Sequence, residues 1–305
     1  MENLGTDSSK ININSLEKKY KQEIRKSYKT IKTFLESEKY YFLAKEKKLR
    51  QSPFLTKEQL IEIEAINIHY QNKFMKIEKE TRREFYELFL IKFAVSSTSI
   101  EGNTINLLEA ERLLMRMITP KNKTLREVYD LQNTKNVFFD LLDNLPDISV
   151  DLIAKVHDDL LQNIDSRKGY RNHEIRILGQ PFSPSPVKYI KTDMNMLLDW
   201  YVKNRDKIPP IVLATFFHHK FEHIHPFSDG NGRTGRIIMN LMLFKQKCPP
   251  IIIPVSKREE YLDFMNKGDT ALKKNILSTD IEHYEDLISF IVGEYQKSYW
   301  NTFLV

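Results

Sequence analysis

The chain has 305 residues, 41% of them hydrophobic, and carries 47 basic against 41 acidic side chains for a net charge of +6. Over that length the surplus is too mild to mark a nucleic-acid binder, so nucleic acid is not an expected partner. The one cysteine, Cys248, excludes an intrachain disulfide and a cysteine-built metal site. The start, MENLGTDSSKININS, has no apolar signal segment, and no stretch approaches the ~18 apolar residues of a membrane span. A soluble, cytoplasmic protein with no membrane partner is the expectation.

From Leu16, apolar residues recur at three-to-four spacing through Tyr20, Ile24, Ile31 and Phe34, which predicts one long helix to about Leu49. Pro53 ends it. Thr56-Lys-Glu-Gln59 reads as a capping box, and Ile63, Ile66, Tyr70, Phe74, Ile77 and Phe85 carry a second long helix toward Phe93. Residues 1–93 are thus expected to form an antiparallel helical hairpin, an arm used as a structural or homodimer surface or to dock a target. After the change of texture at 94–103, helices are expected at about 106–117, 124–144 and 149–163. Residues 174–184 alternate briefly among turn residues and form the one β-hairpin expected. Helical pattern returns at 186–203, 209–224, 232–247, 256–274 and 282–299. The fold class is mostly α with a small β-hairpin.

The densest chemistry lies at 225–236, His-Pro-Phe-Ser-Asp-Gly-Asn-Gly-Arg-Thr-Gly-Arg. Pro226 ends the preceding helix, because it disfavours helical geometry at His225. Asp229-Gly-Asn-Gly232 reads as a tight loop whose successive N–H groups form an anion nest, with the positive end of the next helix at the same place. Arg233 and Arg236 share a helix face and suit a polyphosphate. Asp229 suits Mg2+, and His225, with an ordinary pKa of ~6.5, suits a general base. A plain helix–loop–helix turn would not need all of these groups at this spacing. Other readings are weaker. His219 and His223 have i, i+4 spacing for zinc but no HExxH or cysteine beside them; His157-Asp158 lies in the pattern of a core helix; and no GxxxxGK[ST] is present.

The run resembles the Fic signature His-Pro-Phe-x-Asp/Glu-Gly-Asn-Gly-Arg-x-x-Arg at every defined position, and Phe221-Glu-His-Ile-His, Gly169-Tyr-Arg171 and Arg258-Glu-Glu-Tyr261 add to the resemblance, which covers about 94–292. It implies a Fic-type helical bundle over 94–305, its core at about 150–247, with an inhibitory helix at its start and the 174–184 hairpin as a flap that registers an extended target segment. It implies AMP transfer from ATP, with Mg2+, to a Ser, Thr or Tyr hydroxyl of a protein target, self-modification included. His225 would deprotonate the hydroxyl, Asp229 would hold Mg2+, backbone around Gly230, Asn231 and Gly232 would cradle the α- and β-phosphates, Arg233 would neutralise the leaving side, and Arg236 would grip the γ-phosphate. Asn266, in Asn-Lys-Gly-Asp269, resembles an adenine-contacting segment. Ser97-Thr-Ser-Ile-Glu101-Gly102 resembles the family's inhibitory motif, in which the Glu pairs with the second arginine, here Arg236. Three alternatives remain open: Glu101 orienting a water for AMP removal, transfer of a phosphate or another nucleotide group, and a non-catalytic partner-binding scaffold that uses the arm.

Overall fold

The structure is a computed structural model that describes residues 22–176, 183–273 and 275–305. Among the described residues, the first expected helix is instead three short ones, α1 (Gln22–Ser27), α2 (Ile31–Ser37) and α3 (Tyr40–Lys45). The periodicity hid the breaks because Ile31, Phe34, Tyr40, Tyr41 and Ala44 all bury into one core across them. Thr30 restarts the chain as an N-cap with a full capping box to Thr33, and Lys39 turns it again at φ 64°. The second expected helix is also two. The capping box at Thr56 and Gln59 opens α4 (Lys57–Asn72), as expected. A 3-10 turn at Phe74–Lys76 then precedes α5 (Lys79–Ile100). The boundary drawn at 93/94 falls inside α5, which runs unbroken to Ile100.

The remaining helices follow the expected order: α6 (Leu107–Arg116), α7 (Leu125–Asn144), α8 (Val150–Leu160), α9 (Ile190–Asn204), α10 (Pro210–Ile224), α11 (Asn231–Lys245), α12 (Arg258–Leu272) and α13 (Ile281–Thr302). No strand occurs among the described residues. Most of the expected β-hairpin, residues 177–182, lies outside them. Its flanks at 174–176 and 183–184 are irregular, and Pro184 and Pro186 lack the amide hydrogens a ladder needs.

Helices α10 and α11 are buried almost all round, from Ile211 to Phe221 and from Arg233 to Phe244, the signature of helices at the centre of a bundle. They pack on each other, with α8, α9, α12 and α13 around them. The N-terminal helices share this core. Phe74, Tyr86 and Phe89 meet Phe303 just past α13, and His69 and Tyr70 meet Tyr299 within it, while Asn67 accepts from Tyr295. A second cluster, with Ile91, Ala94, Ile105, Leu113 and Leu131, seats the end of α5 against α6 and α7. That clamp fixes where Ser97 and Glu101 stand relative to α11.

Candidate active site

The loop between α10 and α11 is built around residues that hold it open. His225 sits in the left-handed region at φ 51°, which costs a non-glycine residue ~1–2 kcal/mol. Arg171 offsets this: its Nε donates to the His225 carbonyl at 2.9 Å and its backbone N–H donates to the Pro226 carbonyl at 2.9 Å. The same guanidinium donates to the carbonyls of His173 (3.0 Å) and Ser185. Asn231 staples the loop from inside, with its Oδ1 accepting from Phe227 N–H at 3.0 Å and its Nδ2 donating to the Phe227 carbonyl at 2.9 Å. The Asn231 side chain is therefore committed to loop shape, and only its backbone is available to an anion. Gly230, at φ 76°, caps α11, and its N–H donates to Asp229 Oδ1 at 2.6 Å. His157, stacked on Phe227 at 3.8 Å, lies 3.1 Å through Nε2 from the Asp229 carbonyl and 2.8 Å through Nδ1 from Asp158.

His225 Nδ1 donates to the Glu222 carbonyl at 3.2 Å, which assigns the proton to Nδ1 and leaves the lone pair on Nε2. Burial lowers its pKa to about 4, well below the ordinary value used for the sequence expectation. The imidazole is thus neutral across the physiological range and able to accept a proton.

Charge is distributed around α11. Arg233, 3% exposed, pairs with Asp130 of α7 and, at 3.1 Å, with Asp229. The other Asp229 oxygen accepts from Arg126. Burial alone would raise the Asp229 pKa, but Arg233 and Arg126 outweigh it and hold the carboxylate ionised. Arg236, also 3% exposed, donates from Nε to Ser97 Oγ at 3.0 Å and from Nη2 to the Ser97 carbonyl at 2.8 Å and to Glu101 Oε1 at 2.7 Å. Burial works against its charge, and Glu101 outweighs that, so its pKa is raised. Glu101 is the C-cap of α5; Gly102 follows at φ 99°, and Arg258 Nε donates to the Ile100 carbonyl at 2.8 Å. The Glu101 carboxylate lies directly over Gly232, where a methyl group would overlap Oε1 and come 2.9 Å from Arg236 Nη1.

Glu101, His225, Asp229, Gly232, Arg236 and Asn266 line one cavity of about 300 Å³, whereas Arg233 lies behind its wall. Asn266 Oδ1 is buried there with no protein partner among the described residues. A larger cleft of about 930 Å³, lined by Tyr70, Arg82, Tyr86 and Phe244, contains none of the motif. His219 and His223 both reach Asp269 Oδ1, at 3.1 and 2.8 Å, and His219 also contacts Tyr284 and the Met265 carbonyl; no group of three or more His, Cys, Asp or Glu placed to hold a metal exists among the described residues. Sequence reasoning missed Asp130 and Arg126, and gave Glu222, within Phe221-Glu-His-Ile-His, no role. The first two lie 103 residues from their partners, and nothing local distinguishes them from solvated charges. Arg171 stood in the quoted Gly-Tyr-Arg, without its role as the loop clamp.

A neutral imidazole, a capped helix start and two buried guanidiniums inside an all-helical bundle define an anion-binding site with a base at its edge. Residues 147–243 match the Fic/DOC family, and this part of the chain is a Fic domain. The chain is 29% identical over 223 residues to the protein adenylyltransferase fic-1 of Caenorhabditis elegans and 31% identical over 227 residues to the protein adenylyltransferase Fic of Aedes aegypti, each alignment covering 71% of this chain and 44% of the relative. It therefore spans less than half the length of these relatives. Among solved structures, a Fic domain containing signaling protein from Bacteroides thetaiotaomicron superposes with a TM-score of 0.69 at 21% identity, over 76% of this chain and 93% of that one. Fic-1 from C. elegans superposes with a TM-score of 0.62 at 24% identity, over 76% and 68%. None of the described helices is long and apolar enough to cross a membrane.

Proposed function

We propose that this chain transfers AMP from ATP to a Ser, Thr or Tyr hydroxyl of a protein, itself included, and that the conformation described above is its restrained state. The observation that carries this reading is the placement of Glu101 on Arg236, above Gly232 and in the same cavity as His225. A carboxylate on that guanidinium stands where a terminal phosphate would be gripped. When Glu101 withdraws, Arg236 is available to the γ-phosphate and the α11 start to the α- and β-phosphates. His225 Nε2 then takes the proton of the target hydroxyl, the hydroxyl oxygen attacks the α-phosphorus, and the bond to pyrophosphate breaks. Arg233 neutralises charge on the leaving side. Positioning and charge neutralisation supply most of such catalysis. The unpartnered Oδ1 of Asn266 fits an acceptor for the exocyclic amine of adenine.

Asp229 fits Mg2+ as its single carboxylate ligand beside phosphate oxygens, the usual way this ion is held. There the ion would neutralise charge on the α- and β-phosphates. Arg126 holds the same carboxylate and would have to yield an oxygen to it.

The test is labelling of the Glu101→Gly protein with α-labelled ATP and Mg2+. Label should enter protein in this variant far more than in the wild type, and His225→Ala added to it should abolish the label. Label entering from the γ-position instead means phosphate transfer, and none from either position means transfer from another nucleotide or a partner-binding scaffold; each of these outcomes overturns the proposal. Loss of label from a premodified target would mark AMP removal in addition.

A further inference from the structure

We propose that Glu222 is a positioning residue for His225, with its largely buried carboxyl serving as the counter-charge for the imidazolium that forms when Nε2 accepts a proton. This deepens the reading above and rests on His225 acting as the base. Glu222 approaches the imidazole twice. Its main-chain carbonyl accepts from Nδ1, and its own Oε2 lies 4.0 Å from the same nitrogen. Its Oε1 is buried and has no hydrogen-bond partner among the described residues. It shares the space beside Gly235 with the His218 ring: a methyl group there would come 2.6 Å from His218 Nδ1 and 3.1 Å from Oε1. Such an unsatisfied carboxyl is costly unless something uses it.

The groups that face Glu222 set when it can act. Arg236 of α11 favours its charge, Glu101 at the end of α5 and Asp269 of α12 oppose it, and Tyr261 of α12 stands close by. Burial first, then Glu101, push its pKa up to about 8. Below that value Glu222 is a neutral acid and His225 is a weak base. As pH rises through it the carboxylate forms, stabilises the imidazolium and strengthens the base. Because Glu101 is among the groups that hold the proton on Glu222, its withdrawal lowers that pKa. One movement thus frees Arg236 for the nucleotide and passes the support of the imidazolium from Glu101, whose charge also raises the pKa of His225, to Glu222.

Two measurements test this. Imidazole resonances of nitrogen-15-labelled His225, followed by NMR without nucleotide, should show a second inflection near the pH where Glu222 ionises, at lower pH in Glu101→Gly and absent in Glu222→Gln. In the Glu101→Gly background, AMP transfer by Glu222→Gln should match the parent at about pH 6 and fall roughly tenfold below it at about pH 9, as a weakened general base requires. Resonances that ignore Glu222, or a Gln variant whose rate tracks the parent at every pH, overturn the proposal. If no variant transfers AMP, the reading of the reaction fails while the NMR titration still decides on Glu222. Should Glu222→Gln not fold, the presence or absence of the second inflection in the other two proteins decides it.

Discussion

Removing the Glu101 carboxylate should tighten ATP and leave AMP unchanged. Arg236 keeps Ser97 Oγ and the Ser97 carbonyl as acceptors in Glu101→Gly, so its position survives and only the charged partner at 2.7 Å is lost. A charge-assisted hydrogen bond contributes ~1.5–3 kcal/mol. The Glu101 side chain is 41% exposed, so solvent screening brings the expected contribution down to about 1 kcal/mol. A triphosphate no longer has to displace that bond, which corresponds to about fivefold tighter binding. AMP has no phosphate to place on Arg236 and gains nothing. Titration calorimetry with ATP, ADP and AMP on both proteins measures the difference directly. An equal gain for AMP would refute the occupancy argument, since Glu101 would then be blocking the whole cradle, and no gain for ATP would refute it from the other side. Gly232→Ala offers a check from the opposite partner. Its methyl group would expel the carboxylate but stay in the cradle, so Arg236 should be released with no rise in AMP transfer.

Two further outcomes follow from the loop. Arg126→Ala removes a half-exposed partner of Asp229 and should raise affinity for Mg2+, or for Mn2+ read by electron paramagnetic resonance, by up to about fivefold, since exposed ion pairs contribute ~0–1 kcal/mol; unchanged or weaker binding would show that Arg126 does not compete with the ion. Arg171→Met strips donors from the carbonyls of His225, His173 and Ser185; His173 is exposed and water can serve it, so the other two, at ~1–3 kcal/mol each when unsatisfied, should lower stability by about 2–6 kcal/mol. A denaturation midpoint within error of wild type would show that water replaces the guanidinium at no cost.

The parts of this site that could be read in the sequence are those whose physics is local. The α11 start, the base before Pro226 and the two arginines one turn apart are neighbours in the chain, so spacing alone brings them together. The Glu101–Arg236 pair spans 135 residues and was reached only through resemblance, because a helix-end glutamate looks the same whether it faces solvent or a buried guanidinium. Asp130 and Arg126 had no such guide. In the fold, helix class survived and helix length did not. Apolar spacing reports which face is buried, and α2 and α3 bury a common face against which Ile24 of α1 packs, so the periodicity runs on across Thr30 and Lys39 as if nothing happened. Those breaks are set by a cap and a positive φ, which cost the pattern no apolar residue.

The glycines of the motif take on a second meaning once the acids are in place. In sequence they read as a phosphate cradle, a loop without side chains where backbone N–H groups meet an anion. In the structure Gly232 makes room for the Glu101 carboxylate, and Gly235 for the His218 imidazole with the Glu222 carboxyl beside it, both on the helix that carries Arg236. Arg236 therefore faces an acid from α5 and an acid from α10, and each acid has a different job to give up: Glu101 its place on the guanidinium, Glu222 its proton. A polyphosphate that arrives on Arg236 replaces the first charge with its own. Base strength at His225 should then depend on which anion holds Arg236, and an alanine at Gly235 should cut transfer even with Glu101 removed, by crowding the carboxyl that stands behind the base. Normal transfer by Gly235→Ala in the Glu101→Gly background, in a protein of unchanged stability, would separate the two acids and leave Gly235 with no part in the chemistry.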